Sequence, residues 1–422
     1  MACVPGNARR PDHPLIPYTA SRNVKPVLYL VHRMPYPPNK GDKIRSFHIL
    51  RFLAQRYRVH LGTFIDSEND RAFVRELSAL CAETFVLPLS AGRARLKSLR
   101  GLATGAPLTI PYYFQRPMQT WVDGVLAERR IDRAVVFSSS MAQYVSGSRY
   151  GHVRRIMDFV DVDSEKWRQY GTMRRWPWSW VYAREARALL EYEAKIALEF
   201  DRSVFVSEPE AAHFRALAPA SAHKIHHLEN GVDYTYFDPS IGFENPYRSE
   251  EKAIVFTGAM DYWANVDAVT WFAAEVLPLI RRRVESARFY IVGSDPVEAV
   301  RALAGDEIVV TGRVPDVRPY LAHAAVDVAP LRIARGIQNK VLEAMAMGCA
   351  VVATAQAAEG IAARDRELTV ASEPSAMADA IVRQIEGSGP VDSAERARTF
   401  VTRRYDWTRT LAALESWLEC DR

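Results

Sequence analysis

The chain has 422 residues, 48% hydrophobic and 25% charged, with 55 Lys and Arg against 50 Asp and Glu. At about 100–200 residues per domain this gives two or three domains with ample core, and neither fraction fits wholesale disorder or a fibrous repeat. A net charge of +5 is too mild for a dedicated nucleic-acid binder, so no nucleic-acid partner is expected.

Residues 1–23 carry Pro5, Pro11, Pro14 and Pro17 and no apolar signal-peptide core, and they read as a flexible tail. The four cysteines, Cys3, Cys81, Cys349 and Cys420, lie far apart. Neither a disulfide framework nor a structural zinc site fits that spacing, and a reducing cytoplasm is the expected location. No uncharged apolar stretch reaches the roughly 18 residues of a membrane span.

Val27–Val31 is an apolar run followed by a Pro/Gly-rich loop, Arg33–Asp42, and then by a helical pattern from Lys43. Strand, tight loop and helix open a parallel sheet of the nucleotide-binding kind. Further strands are expected at Val59–Phe64, Thr84–Leu87, Ala134–Ser138, Arg155–Phe159 and Ser203–Ser207, with helices over Glu68–Cys81 and Arg184–Phe200 among the segments between them. This makes one doubly wound domain over 24–238. Pro239–Glu251 is polar and turn-rich and reads as a linker about which two domains would close over a cleft.

The pattern then restarts for a second domain over 252–404. Strands are expected at Ala253–Thr257, Arg288–Val292, Ile308–Thr311, Val326–Ala329 and Ala350–Thr354. Helices are expected at Val266–Arg283, Lys340–Met347, Pro374–Glu386 and Ser393–Arg403. Within the closing segment, 405–422, Trp407–Leu418 has an amphipathic helical pattern.

The segment richest in chemistry is Pro330–Thr354, PLRIARGIQNKVLEAMAMGCAVVAT. A loop holding Gly336 leads to a helix beginning near Asn339. The free amides and positive dipole end of such a helix suit a diphosphate. Lys340 adds a movable cation there, and Glu343, one turn on, is placed to accept two ribose hydroxyls. The same residues also read as an ordinary loop and helix with both side chains in solvent.

In the first domain, Lys40, Lys43 and Arg45 flank Gly41 and would hold a phosphate-bearing acceptor, or else form a solvated basic surface. Asp158 and Asp161 end a strand; either would orient or deprotonate an acceptor hydroxyl if burial raises its pKa, or would cap the next helix. Ser207 and Glu208 are weaker candidates of the same kind. The histidines show no metal spacing, and Asp161-Val162-Asp163 is too short a match to mark a metal site, so no metal and no cofactor are expected.

LEAMAMGCAVVAT closely resembles the signature helix and strand of glycosyltransferase family 4, which has the GT-B fold. Glu229–Asp233 (ENGVD), VFTGAM, YIVGS, VVTGRV and VDVAP are similar to the same family in the same order. HRMPYPPNKGDKIRSFHILRFLA, DFVDVDSEKWRQY and VFVSEPEAAHFR resemble the sugar transferases associated with the exosortase/PEP-CTERM system of exopolysaccharide producers.

The resemblance implies two Rossmann-like domains facing across a cleft, with the last helix crossing back to the first. It implies a retaining, metal-independent transferase that takes a sugar from a nucleotide-diphosphate donor to a glycan or polyprenyl-diphosphate-linked acceptor in exopolysaccharide assembly. The donor contacts it implies are Gly258, Gly312, Arg313, Arg335, Gly336, Ile337, Gln338, Asn339, Lys340, Val341 and Glu343. Gly41 would let the backbone approach the transferring phosphate, and Gly41, Asp158, Asp161 and Lys340 form the catalytic set. Asn230-Gly231 would serve hinge geometry through left-handed tolerance.

Many family members carry two glutamates eight positions apart here; Glu343 matches the second, and Arg335 stands where the first is usual. That departure implies a changed donor contact. It also keeps open a non-catalytic nucleotide-sugar binder or assembly partner of the same fold.

Two basic stretches, Arg93, Arg95, Lys97 and Arg100 with Leu96, Leu99 and Leu102, and Arg174, Arg175, Arg184 and Arg187 with Trp176, Trp178 and Trp180, suit an anionic membrane surface. They read equally as amphipathic helices with solvated charges.

Overall fold

The structure is a computed structural model that describes residues 24–420 apart from 39–40, 66–67, 100, 103–104, 173–174, 335, 364–365 and 390–391. Lys40 and Arg335 therefore lie outside the described residues. The described chain forms two compact units, one of 24–229 with 411–420 and one of 230–410.

The first unit holds a seven-stranded parallel sheet: β1 Pro26–Val31, β2 Arg58–Ile65, β3 Glu83–Pro88, β4 Arg133–Phe137, β5 Arg154–Val160, β6 Arg202–Phe205 and β7 Ile225–His227, in the order β3-β2-β1-β4-β5-β6-β7. Both faces are covered, so β1 and β4 read as unbroken apolar runs rather than alternating ones. Leu28 pairs with Ala134 and Val31 with Phe137, which sets β1 beside β4 where the strand order reverses. Phe159, Phe205 and Phe214 stack over one face, with ring centroids 4.8–5.5 Å apart.

The second unit repeats the plan with β8 Lys252–Thr257, β9 Ala287–Val292, β10 Ile308–Gly312, β11 Val326–Ala329, β12 Val351–Ala353 and β13 Thr369–Val370, in the order β10-β9-β8-β11-β12-β13. Each sheet is doubly wound and parallel, the Rossmann-like order expected of both domains.

Several elements differ from the sequence expectation. The helix expected over Val266–Arg283 starts at Trp263 and passes through a π turn at Phe272–Val276. Pro278 lacks the amide an α turn would need, and the wider turn absorbs that gap. The helix expected over Glu68–Cys81 is two short pieces, Glu68–Arg71 and Val74–Ser78. The helix expected from Arg184 starts at Trp178.

The expected linker, 239–251, lies wholly inside the second unit: Tyr247 is buried in its core and donates to the Tyr320 carbonyl at 2.7 Å. The last helix is also split. Trp407–Thr410 belongs to the second unit, whereas Ala412–Glu419 packs on the first. Glu419 accepts from Tyr57 and Arg133 at 2.9 and 2.7 Å, and Glu415 pairs with Arg56 at 2.9 Å.

Candidate nucleotide-sugar site

The site is built where β8 and β11 lie side by side and the second sheet reverses its strand order, the position at which open α/β sheets bind ligands beyond their carboxyl ends. Glycine packs this edge closely. A Cβ on Gly293 would sit 1.6 Å from the Gly258 carbonyl oxygen, so the ends of β8 and β9 meet backbone to backbone. A Cβ on Gly258 would lie 2.8 Å from the Asn265 amide nitrogen and 3.0 Å from Lys340 Nζ. Its absence makes room for both side chains.

Opposite this edge, Gly336 turns the chain with φ 64°, a left-handed conformation that favours glycine. The helix Asn339–Ala346 follows. Val341, Leu342, Ala344, Met345 and Ala346 bury its inner face. Lys340 and Glu343, three residues apart on the other face, stay half-buried. The amides of Val341 and Leu342 bond the Gln338 carbonyl, at 3.0 and 3.4 Å. Those of Asn339 and Lys340 precede the first intrahelical bond and suit an anion.

Lys340 Nζ donates to Asn265 Oδ1 at 2.8 Å and lies 3.9 Å from the centroid of the buried Phe256 ring. Loss of hydration pulls its pKa down to about 7, against the negative charges of Asp327 and Glu343, which hold it up. Burial pushes the Glu343 carboxyl up to about 7, with the Lys340 charge opposing. Asp327 on β11 is buried outright, neither of its carboxyl oxygens has a hydrogen-bond partner among the described residues, and burial drives its pKa well above the usual carboxylate range. An incoming diphosphate would return to Lys340 the negative environment that burial removed.

The other sequence-chosen donor residues divide. Gly312 turns after β10 with φ 67°, and Arg313 beside it is exposed and reaches Asp295 at 3.4 Å. Gln338 donates to the Gly336 carbonyl at 3.4 Å. The side chains of Ile337 and Val341 are in the core, so only their backbone could face a ligand.

Asn230 takes a different role from the one expected. Its amide donates to Asn339 Oδ1 at 3.0 Å and so braces the start of the site helix. Neither Asn230 nor Gly231 has a positive φ. Glycine is needed at 231 because a Cβ would lie 2.8 Å from the Trp407 ring and the Tyr405 carbonyl.

In the first unit Gly41 opens the helix Gly41–Ala54, and a Cβ there would meet nothing within 4 Å among the described residues. Lys43 and Arg45 are not presented to an acceptor as expected. Lys43 is buried and paired with buried Asp70 at 2.6 Å. Arg45 is fully buried; its Nε reaches Asp158 at 2.9 Å and its Nη1 the Leu228 carbonyl at 2.7 Å. The strand-ending aspartate expected to meet an acceptor hydroxyl instead anchors a guanidinium.

Burial raises the Asp158 pKa while Arg45 opposes it, and its second oxygen accepts from the Val160 amide at 3.0 Å. Asp161 and Asp163 share Lys166, at 2.9 and 3.1 Å. Ser207 caps the helix Glu208–Leu217, and Glu208 pairs with Arg215 and His227.

Sequence reasoning passed over Asp327, Phe256 and Gly293, and left Asn265 without a role. The signal for Asp327 was present: a carboxylate inside the apolar run VDVAP is out of place unless the site uses it. The ring under Lys340 had no such signal, because Phe256 reads as ordinary strand core.

Residues 251–386 match the family described as Glycosyl transferases group 1. Among curated proteins no sequence matches the chain. Solved structures that share its fold include the following three. One is WaaG, a glycosyltransferase involved in lipopolysaccharide biosynthesis, at 17% identity and TM-score 0.65, covering 94% of this chain and 100% of that one. HepE from Anabaena, solved with UDP and glucose, has 15% identity and TM-score 0.63 over 93% of this chain and 98% of its own. Sucrose-phosphate synthase from Thermosynechococcus elongatus has 16% identity and TM-score 0.67, with the same two coverages. The second unit thus resembles group 1 glycosyl transferases over 251–386, and the chain as a whole shares the GT-B fold of these structures.

Proposed function

We propose that this protein is a retaining, metal-independent glycosyltransferase that moves a sugar from a nucleotide-diphosphate donor to a glycan or lipid-linked sugar acceptor in exopolysaccharide assembly. The observation that carries the reading is the meeting of Gly258, Asn265, Lys340 and Glu343 with a glycine-turned helix start at the switch point of the second sheet. HepE, of the same fold, has been solved with UDP-glucose.

In this reading the amides of Asn339 and Lys340 hold the diphosphate, Lys340 neutralises it, and Glu343 accepts from the ribose hydroxyls. Negative charge grows on the leaving diphosphate as the sugar–oxygen bond stretches, so donors fixed there stabilise the transition state more than the ground state. Asn265 keeps the Lys340 ammonium aimed at the strand edge. With no carboxylate assigned as nucleophile, departure and attack share one face of the sugar, and the leaving phosphate takes the acceptor proton.

The test is release of nucleoside diphosphate from a panel of UDP, GDP, ADP and TDP sugars by the purified chain. One donor should support turnover, with Lys340→Ala and Glu343→Ala each losing most of it. A chain that binds a donor yet never turns it over is a binding protein, and the proposal fails.

A further inference from the structure

The described residues expose twelve large apolar side chains, and six of them lie on two segments of the first unit. Trp176 is 82% exposed, Leu96 71%, and Leu99, Leu102, Trp178 and Trp180 between 45% and 59%. The structure joins the two segments. From the helix Trp178–Glu199, Arg184 donates to the carbonyls of Gly101 and Ala106, at 2.5 and 3.0 Å. The next residue, buried Glu185, accepts from the amides of Leu108 and Thr109 at 2.7 and 3.0 Å. The leucine segment is thus clamped to the first turns of the tryptophan helix.

The exposed charge these two segments carry is of one sign. Arg93, Arg95, Lys97, Arg175 and Arg187 are exposed, while the only acid in 91–102 and 175–190 is Glu185, which the clamp consumes. Tryptophan and leucine held outward on segments whose exposed charges are all cationic match an anionic lipid surface, where rings settle at headgroup depth and cations meet phosphate. No helix among the described residues is long and apolar enough to cross a membrane, so the contact is peripheral.

We infer that this patch docks the first unit onto an anionic bilayer. The inference deepens the reading above, in which the acceptor is a glycan or a lipid-linked sugar, but it stands on the surface itself.

Co-sedimentation of the full chain with vesicles of phosphatidylcholine alone, or mixed with phosphatidylglycerol, tests it. Wild type should sediment with the mixed vesicles, with a blue shift in tryptophan emission, and added salt should weaken the binding. Trp176→Ser/Trp178→Ser/Trp180→Ser should bind about tenfold or more weakly, from lost interfacial burial. Arg93→Glu/Arg95→Glu/Lys97→Glu should lose the preference for anionic lipid. Both variants should keep the wild-type melting temperature and donor-induced thermal shift, because all six side chains are exposed.

Absence of wild-type sedimentation, or equal sedimentation of the tryptophan variant, overturns the inference. So does self-association that the tryptophan variant abolishes in a protein that ignores vesicles. Failure of the donor shift alone strikes the transferase reading and leaves this one standing.

Discussion

A lysine lying over a phenylalanine ring gives up most of its hydration, and Lys340 does so where a diphosphate would restore the lost negative surroundings. Its pKa sits near 7 in the free protein, so the ammonium form is present below that pH and declines above it. A bound diphosphate favours the ammonium form, so the complex holds more protons than the free protein above neutrality. Binding of the cognate nucleoside diphosphate at pH 8 should therefore take up protons, seen as calorimetric enthalpies that differ between buffers of unlike ionisation heat. Affinity should fall as pH rises from 7 to 8. Identical enthalpies in the two buffers would remove Lys340 from the phosphates. Lys340→Ala should weaken binding by about 1.5–3 kcal/mol, the usual worth of a hydrogen bond to a charged group.

The Arg45–Asp158 pair answers to stability instead. Both side chains are buried, so removing one partner strands the other. Asp158→Ala should lower unfolding stability by about 3–5 kcal/mol in urea titrations, and a paired Arg45→Met/Asp158→Leu change should recover much of it. A single variant as stable as wild type would show that the pair is not what fixes the end of β5.

Elements make the glycines separable. Gly293→Ala would drive a methyl into the Gly258 carbonyl at a φ of 158°, so a loss of about 1–3 kcal/mol or more in stability is expected. A Cβ at Gly41 meets open space among the described residues, and alanine there leaves the unfolded chain less entropy to lose, a gain of about 0.4–1 kcal/mol at most. If the glycine serves ligand approach, Gly41→Ala should lose transfer activity while its melting temperature holds or rises. Full activity in that variant would return Gly41 to an ordinary turn.

At this scale the sequence was readable wherever one period dominated. The run VLYLV announced a buried strand and IVVT a half-buried one, and the loop and helix after Pro330 were equally plain, the helix starting at Asn339. It was not readable where a distant residue decided. Nothing near Arg45 told of Asp158, 113 positions away, so a buried guanidinium looked like a basic surface. Asn-Gly at 230–231 signalled a turn, whereas Trp407 is what demands the glycine.

For the whole molecule, two sheets with the same strand order follow from a βα pattern that runs twice along the chain. The passage between units was harder to place. Polar, turn-rich 239–251 has the composition of a linker, yet Phe237 and Tyr247 fold it onto the second core, and the chain crosses at Glu229–Asn230 and again near Leu411. That crossing sets Asn230 against Asn339, so the first residue of the second unit braces the helix proposed to hold the donor. A crystal structure of the full chain with its cognate nucleoside diphosphate is the most direct check. The phosphates should lie within hydrogen-bond distance of the Asn339 and Lys340 amides, with Glu343 on the ribose; a nucleotide lodged anywhere else in a well-ordered crystal would contradict the assignment.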